Sequence, residues 1–246
     1  MTHLIYSKNY LVLQRGIIIS PFNKKSLFHS SVNNEYRLRL TKEQKAAIVF
    51  SNEIKEFITG MQLGDSSIEM HGKDARLQFR QKDFDLVYHF YEKLKPLGIV
   101  GEPKNSPVEC KGKMFDSYRM FTLTHPYFTE LFNTWYEKVN NKNIKIIPIN
   151  IGDLLTPIAL AYWLTGDGSY DKKGKNVIIC TDSFSVIEIE KLQEILKNKF
   201  DLISSRVLSG SSPNAYRIRI SAKDTFKLQA IVAPYIPNMA KYRIGL

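Results

Sequence analysis

Two stretches of this chain, about one hundred residues apart, spell out the same series of elements, and any fold must accommodate both copies. Asp65 and Asp167 close similar segments 102 positions apart. The strand-like text RLQFRQ, from Arg76, precedes VIICTD, from Val177, by 101, and YRMFTL at Tyr118 precedes YRIRIS at Tyr216 by 98. A steady offset with one element order indicates a tandem duplication. In the first copy a helix from about Glu53 ends at GMQLGD, and two strands follow. Next come a helix over Asp83–Leu94, strands near Val108–Lys113 and Ser117–Leu123, and a helix over Pro126–Val139. The second copy opens with Thr156 as N-cap and Pro157 at the first helical position, the favoured start of a helix. It runs to TGDG, then through strands near Val177–Thr181, a helix over Val186–Phe200, strands near Ser204–Leu208 and Ala215–Ser221, and a closing helix over Asp224–Ile231. Thr41 with Gln44 three residues on predicts a short capped helix ahead of both copies. The expected fold is α+β: two tandem αββαββα repeats, residues 35–150 and 151–246, about a pseudo-twofold axis.

Charge narrows the partner. The 246 residues hold 35 Lys+Arg against 24 Asp+Glu, a net charge of +11. Such an excess on a folded chain favours a polyanion, with nucleic acid first among them. With 43% hydrophobic residues the chain can bury a sizeable core. No apolar run approaches the roughly 20 residues a membrane-spanning helix needs, so no membrane partner is expected. Cys110 and Cys180 are too far apart in sequence to suggest a disulfide framework or a thiolate metal cluster. The first 34 residues contain no acid but carry Lys8, Arg15, Lys24 and Lys25 among several serines. That is the composition of an organellar transit peptide, and LFHSS (Leu27 to Ser31) resembles the text around processing sites of imported fungal mitochondrial proteins, so residues 1–34 are read as an address and the mitochondrion as the destination. The remaining chain keeps a +7 excess, so a polyanionic partner is still expected without the leader.

The two helices that open the copies carry ITGMQLGDS (Ile58 to Ser66) and LAYWLTGDG (Leu160 to Gly168). The second is apolar almost all round, the mark of a buried helix. Small residues in both let backbones approach closely, so the pair is expected to pack together and to bring Asp65 and Asp167 near each other at one end. Two close carboxylates repel, and the carbonyls of the helix C-termini add negative potential. A divalent cation resolves both, and oxygen ligands without nearby His or Cys favour Mg²⁺ over zinc.

These motifs resemble the two copies found in monomeric LAGLIDADG homing endonucleases, and LTPIALAYWLTGDGSYD is similar to the branch of the yeast mitochondrial omega-intron enzyme. The similarity spans about residues 50 to 243; the first motif has Ser66 where the family usually has Gly. The resemblance implies that Asp65 and Asp167 bind the catalytic metals, with the main-chain carbonyls of Gly64 and Gly166 completing the coordination. It also implies two assisting basic residues. KIIP places one at Lys145, and IPNMAKYR places the other at Lys241, with Arg243 as the competing candidate.

In RLQFRQK, Leu77 and Phe79 alternate with Arg76, Gln78, Arg80 and Lys82, the pattern of a half-buried strand with a free polar face. The strands of YRMFTL and YRIRIS set Arg119, Arg217 and Arg219 in similar positions, and Arg80 and Arg219 are expected on equivalent strands. Arg and Gln suit base edges in a major groove wide enough for a β-ribbon. Turn lysines such as Lys173 suit phosphates. Basic antiparallel sheets forming a saddle on double-stranded DNA are therefore expected, in a monomer that cuts both strands of a long asymmetric site with Mg²⁺. The alternative is a maturase of the same fold that grips a group I intron RNA. A glycosidase, which also uses paired carboxylates, fits neither the charge nor the lack of an aromatic-rich sugar platform.

Overall fold

The computed structural model describes residues 40–110, 112–210 and 214–246; the expected leader, 1–34, lies outside them. Thr41 caps α1 (Lys42–Ala46), its side chain accepting from the Gln44 backbone while the Gln44 side chain accepts from the backbone N–H of Thr41. Ser51 then caps α2 (Asn52–Leu63). The first copy continues with β1 (Ser66–His71), β2 (Asp74–Gln81), α3 (Phe84–Leu94), β3 (Lys104–Asn105), β4 (Val108–Cys110), β5 (Lys113–Phe115), β6 (Tyr118–Phe121) and α4 (Pro126–Trp135). A hairpin of β7 (Tyr136–Val139) and β8 (Lys142–Lys145) and a short helix α5 (Ile151–Leu154) lead to the second copy. There α6 (Pro157–Asp167), β9 (Gly168–Asp171), β10 (Asn176–Ile179), α7 (Val186–Phe200), β11 (Ser204–Leu208), β12 (Tyr216–Ile220) and α8 (Thr225–Val232) give the expected αββαββα order. The first copy departs from it: the strand expected near Val108–Lys113 is a separate β4–β5 hairpin, and the main sheet takes Lys104–Asn105 as its fourth strand. A 3₁₀ segment over Asn238–Ile244 ends the chain.

The two main sheets have one topology. Strand order is β1-β2-β6-β3 in the first and β9-β10-β12-β11 in the second, with every pair antiparallel. Pairing refines the offset read from the text. Phe79 pairs with Met120, and Ile179 with Ile218, so β2 maps onto β10 at an offset of 100 rather than 101. An odd offset would turn every side chain of the strand to the opposite face, whereas 100 sets buried Leu77 and Phe79 on buried Val177 and Ile179. Arg80 therefore corresponds to Cys180, and Arg119 to Arg217; Arg80 and Arg219 do not stand on equivalent strands.

The helix expected over Pro126–Val139 ends at Trp135, and Tyr136–Val139 instead pairs with Lys142–Lys145. The reversal is made by Asn140 and Asn141, both left-handed at φ 49° and 59°, the conformation a tight two-residue hairpin turn requires. Tyr136 anchors the hairpin by accepting from the Ile68 N–H at 2.8 Å.

Buried faces of each sheet and its helices form two cores, and α2 with α6 forms the seam between them. In α6 every residue from Ala159 to Thr165 is buried. Its Tyr162 belongs to the first core, while Leu63 of α2 belongs to the second. Thr156 ties the far ends together, capping α6 at Ala159 and donating to Glu56 of α2 at 3.0 Å. The helices meet backbone to backbone at Gly60, where a Cβ would stand 2.4 Å from the Ala159 carbonyl oxygen and 2.6 Å from Tyr162 Cβ. Gly60→Ala is therefore expected to destabilise the protein by about 3 kcal/mol, because a core in contact with backbone cannot absorb an extra methyl. Gly101→Ala, into open space, should change stability by less than about 0.5 kcal/mol. Equal denaturation midpoints for the two variants would contradict this packing.

Candidate active site

The end of α2 and the end of α6 face each other with their roles exchanged. A Cβ on Gly64 would lie 3.5 Å from Asp167 Oδ2, and one on Gly166 would lie 3.4 Å from Asp65 Oδ2. Each carboxylate thus sits over the other helix's last glycine, the reciprocal contact of a twofold interface. The expected meeting of Asp65 and Asp167 is present.

Lys145 and Arg243 complete the symmetry. Lys145, delivered by β8, is half-buried and donates from Nζ to the carbonyls of Gln62 (2.9 Å), Gly64 (3.2 Å) and Ser66 (2.6 Å). Arg243, delivered by the 3₁₀ segment, donates from Nη1 to the carbonyls of Gly166 (2.8 Å) and Gly168 (3.1 Å). Both helix ends thereby satisfy carbonyls that have no partner inside the helix. Of the two basic residues weighed for the second position, the chain brings Arg243, not Lys241, to the carbonyls. With about three residues per turn, two positions along a 3₁₀ segment turn a side chain to another face.

Electrostatics at this centre are tense. Burial first, and then Asp65, push the Asp167 carboxyl up to about 8, against the pull of Lys145 and Arg243. Burial brings the Lys145 ammonium down to about 8, opposed by Asp167 and Asp65. Asp65 is exposed and accepts a hydrogen bond from Gln81 Nε2. Gln81 follows the polar alternation of its strand by one residue, so the pattern gave no signal for it.

The donor set suits a hard divalent cation. It offers two carboxylates and two backbone carbonyls, and among the described residues no group of three or more His, Cys, Asp or Glu forms a rival metal site. The carbonyls of Gly64 and Gly166 already accept from Lys145 and Arg243, but each carbonyl oxygen has a second lone pair to give.

On the sheets, Arg76, Gln78 and Arg80 occupy the outer face of β2, opposite buried Leu77 and Phe79. Lys82 lies in a bend beyond the strand. Arg76 pairs with Glu69 and lies over the Phe121 ring at 4.1 Å, and Arg119 lies 4.5 Å from the same ring. Arg217 forks onto Asp182 with bonds of 2.8 and 2.9 Å, and Arg219 donates to Ser205 Oγ at 3.3 Å. Lys173 is exposed in the β9–β10 turn, where its backbone N–H donates to Asp171.

The model of the LAGLIDADG DNA endonuclease family matches residues 55–228. Probable intron-encoded endonuclease 1 of Wickerhamomyces canadensis is 30% identical over 90% of this chain and 95% of its own length. Cytochrome b mRNA maturase bI2 of Saccharomyces cerevisiae is 32% identical over 78% of this chain, which spans only 47% of that relative. Among solved structures, the homing endonuclease I-WcaI bound to its DNA recognition sequence superposes with a TM-score of 0.74, at 28% identity, over 90% of this chain and 97% of that one. A mesophilic variant of I-DmoI, 17% identical with a TM-score of 0.51, shares the fold.

The raised Asp167 carboxyl makes stability depend on pH. The unfolded chain releases this proton near 3.8, whereas the folded chain keeps it to about 8. Its contribution is therefore fully present below the lower value and is lost as pH rises towards the upper. Lys145 acts in the opposite sense, between about 8 and 10.5, above that window. In chelator, the wild-type melting temperature should fall from pH 5 to 8 relative to that of Asp167→Asn. Parallel melting curves across this range would refute the assignment.

Proposed function

This chain belongs to the LAGLIDADG DNA endonuclease family, and on that premise we propose that it is a monomeric, Mg²⁺-dependent endonuclease that cuts both strands of a long, asymmetric duplex DNA site. The observation that carries the reading is the reciprocal pair of helix ends, each with a carboxylate over the other's glycine and a basic side chain on its carbonyls. One chain supplies both ends, so no second copy is required.

Asp65 and Asp167, with the carbonyls of Gly64 and Gly166, would hold the cations. Bound there, Mg²⁺ supplies water activation and stabilisation of charge on phosphorus and on the leaving oxygen. Lys145 orients the carbonyls of Gln62, Gly64 and Ser66, Arg243 orients those of Gly166 and Gly168, and both offset the carboxylate charge, with Arg243 taking the role that the resemblance implies for Lys241. Fixed charges of this kind stabilise a transition state without reorganising. Outer-face Gln78, Arg80, Arg119 and Arg219 address base edges, and Lys82 and Lys173 address phosphates. Arg76 and Arg217, already paired with Glu69 and Asp182, present guanidinium groups held in fixed orientations. Residues 35–150 and 151–246 are the two half-site units. Residues 1–34, acid-free, are the mitochondrial address.

A maturase reading has one support, the relatives named cytochrome b mRNA maturase bI2. The same experiment separates the two. A pool of randomised duplexes is incubated with the protein and Mg²⁺, and the cut ends are sequenced. Wild type should cut both strands at a defined site. Asp65→Asn and Asp167→Asn should each lose double-strand cutting by about 10³-fold or more while melting cooperatively, in line with the effect of removing a charge-stabilising group from an active site. Wild-type cutting by either variant would sink the site assignment. An uncut pool, with tight binding to a group I intron RNA, would replace the nuclease by the maturase.

A further inference from the structure

Strand register fixes which side chains stand abreast on the outer face of each sheet, and the rank leading away from each aspartate differs between the halves. In the first sheet Arg80 pairs with Arg119, and Arg119 with Lys104. The β1–β2 register, carried one residue beyond Ser66 and Phe79, sets Asp65 beside Arg80. Three cations in adjacent strands thus follow the carboxylate.

In the second sheet the corresponding rank is Asp167, Cys180, Arg217 and Val207. Val207 pairs with Arg217. The β10–β12 register sets Cys180 on the other side of Arg217, and the Cys180 N–H donates to the Asp167 carbonyl at 3.0 Å. The one cation of this rank has both arms of its fork on Asp182.

Like charges directly opposite across strands destabilise a sheet, and the partners found for two of the three cations are weak. Arg80 reaches Ser106 Oγ at 3.3 Å, and Arg119 faces the Phe121 ring. A row retained against this repulsion matches electronegative groups outside the chain. In a major groove, guanine offers N7 and O6 to Arg or Lys, while the thymine C5-methyl suits an apolar side chain. Arg217 cannot fork a guanine without leaving a two-bond charge-assisted pair, and Val207 stands beside it on the edge strand.

We propose, resting on the DNA-cutting reading above, that the two halves read chemically different bases beside the centre of the site: guanine in the first half, through Arg80, Arg119 and Lys104, and thymine in the second, through Val207. The test uses the full chain in chelator, so that duplexes from a randomised pool are bound but not cut, and the bound fraction is sequenced. Guanine should be enriched beside the centre in one half-site, with thymine at the mirrored positions. Arg119→Ala should reduce that guanine preference about tenfold and leave the other half-site as it was. Val207→Lys, on an edge strand that tolerates it, should turn the mirrored thymine preference towards guanine. The same base at both mirrored positions, or an unchanged preference in Val207→Lys, overturns this asymmetry while leaving DNA reading intact. A pool with no enriched duplex overturns DNA reading and the asymmetry with it.

Discussion

Gly60 has no room for a methyl group, and the spacing of the two central helices follows from that. Helices this close bring backbone against side chain, so the chain uses glycine on α2 and alanine on α6 along the contact. Because each helix also contributes a large residue to the other's core, the seam cannot open without exposing both cores. Each sheet packs its apolar face on that seam and turns its arginine-bearing face outward. The placement of Asp65 and Asp167 is a result of this packing.

That placement sets up an electrostatic conflict that the rest of the centre answers. Two helix C-termini and two carboxylates gather negative potential, and around Asp167 burial removes the screening of water. Lys145 and Arg243 come from segments outside the seam helices, one from a hairpin and one from the last residues of the chain, and end on corresponding carbonyls. They reduce the conflict without removing it, since Asp167 still holds its proton to about 8. A cation between the carboxylates addresses what remains.

Much of this could be read from the residues. Thr41 with Gln44, and Thr156 with Pro157, mark helix starts through local hydrogen bonds that need no tertiary context. The alternation over Arg76–Arg80 gives the buried face of β2 directly, since a strand has period two. What failed to show depends on pairing between distant segments. The residues after Trp135 continue an amphipathic pattern, and only the left-handed pair at Asn140 and Asn141 turns them into a hairpin. That hairpin carries Lys145 to the helix end. The offset of 100 between β2 and β10 is fixed by hydrogen-bonded register, which textual similarity does not measure. Arg217 reads as a free cation until the fold brings Asp182 against it. Gln81 stays hidden for the same reason, as its role arises from a contact with Asp65, and the choice between Lys241 and Arg243 turns on which side chain the fold brings to the Gly166 carbonyl.

The central claim is that Asp65 and Asp167 form one frustrated pair that a divalent cation relieves. The direct measurement is the melting temperature at pH 8 with and without Mg²⁺, for the wild type and for each Asp→Asn variant. The account predicts that Mg²⁺ stabilises the wild type by mass action on the folded state. It also predicts that Asp167→Asn, with the repulsion removed, melts higher than the wild type in chelator, and that neither variant responds to the cation as the wild type does. A Mg²⁺ response of equal size in all three proteins would contradict it.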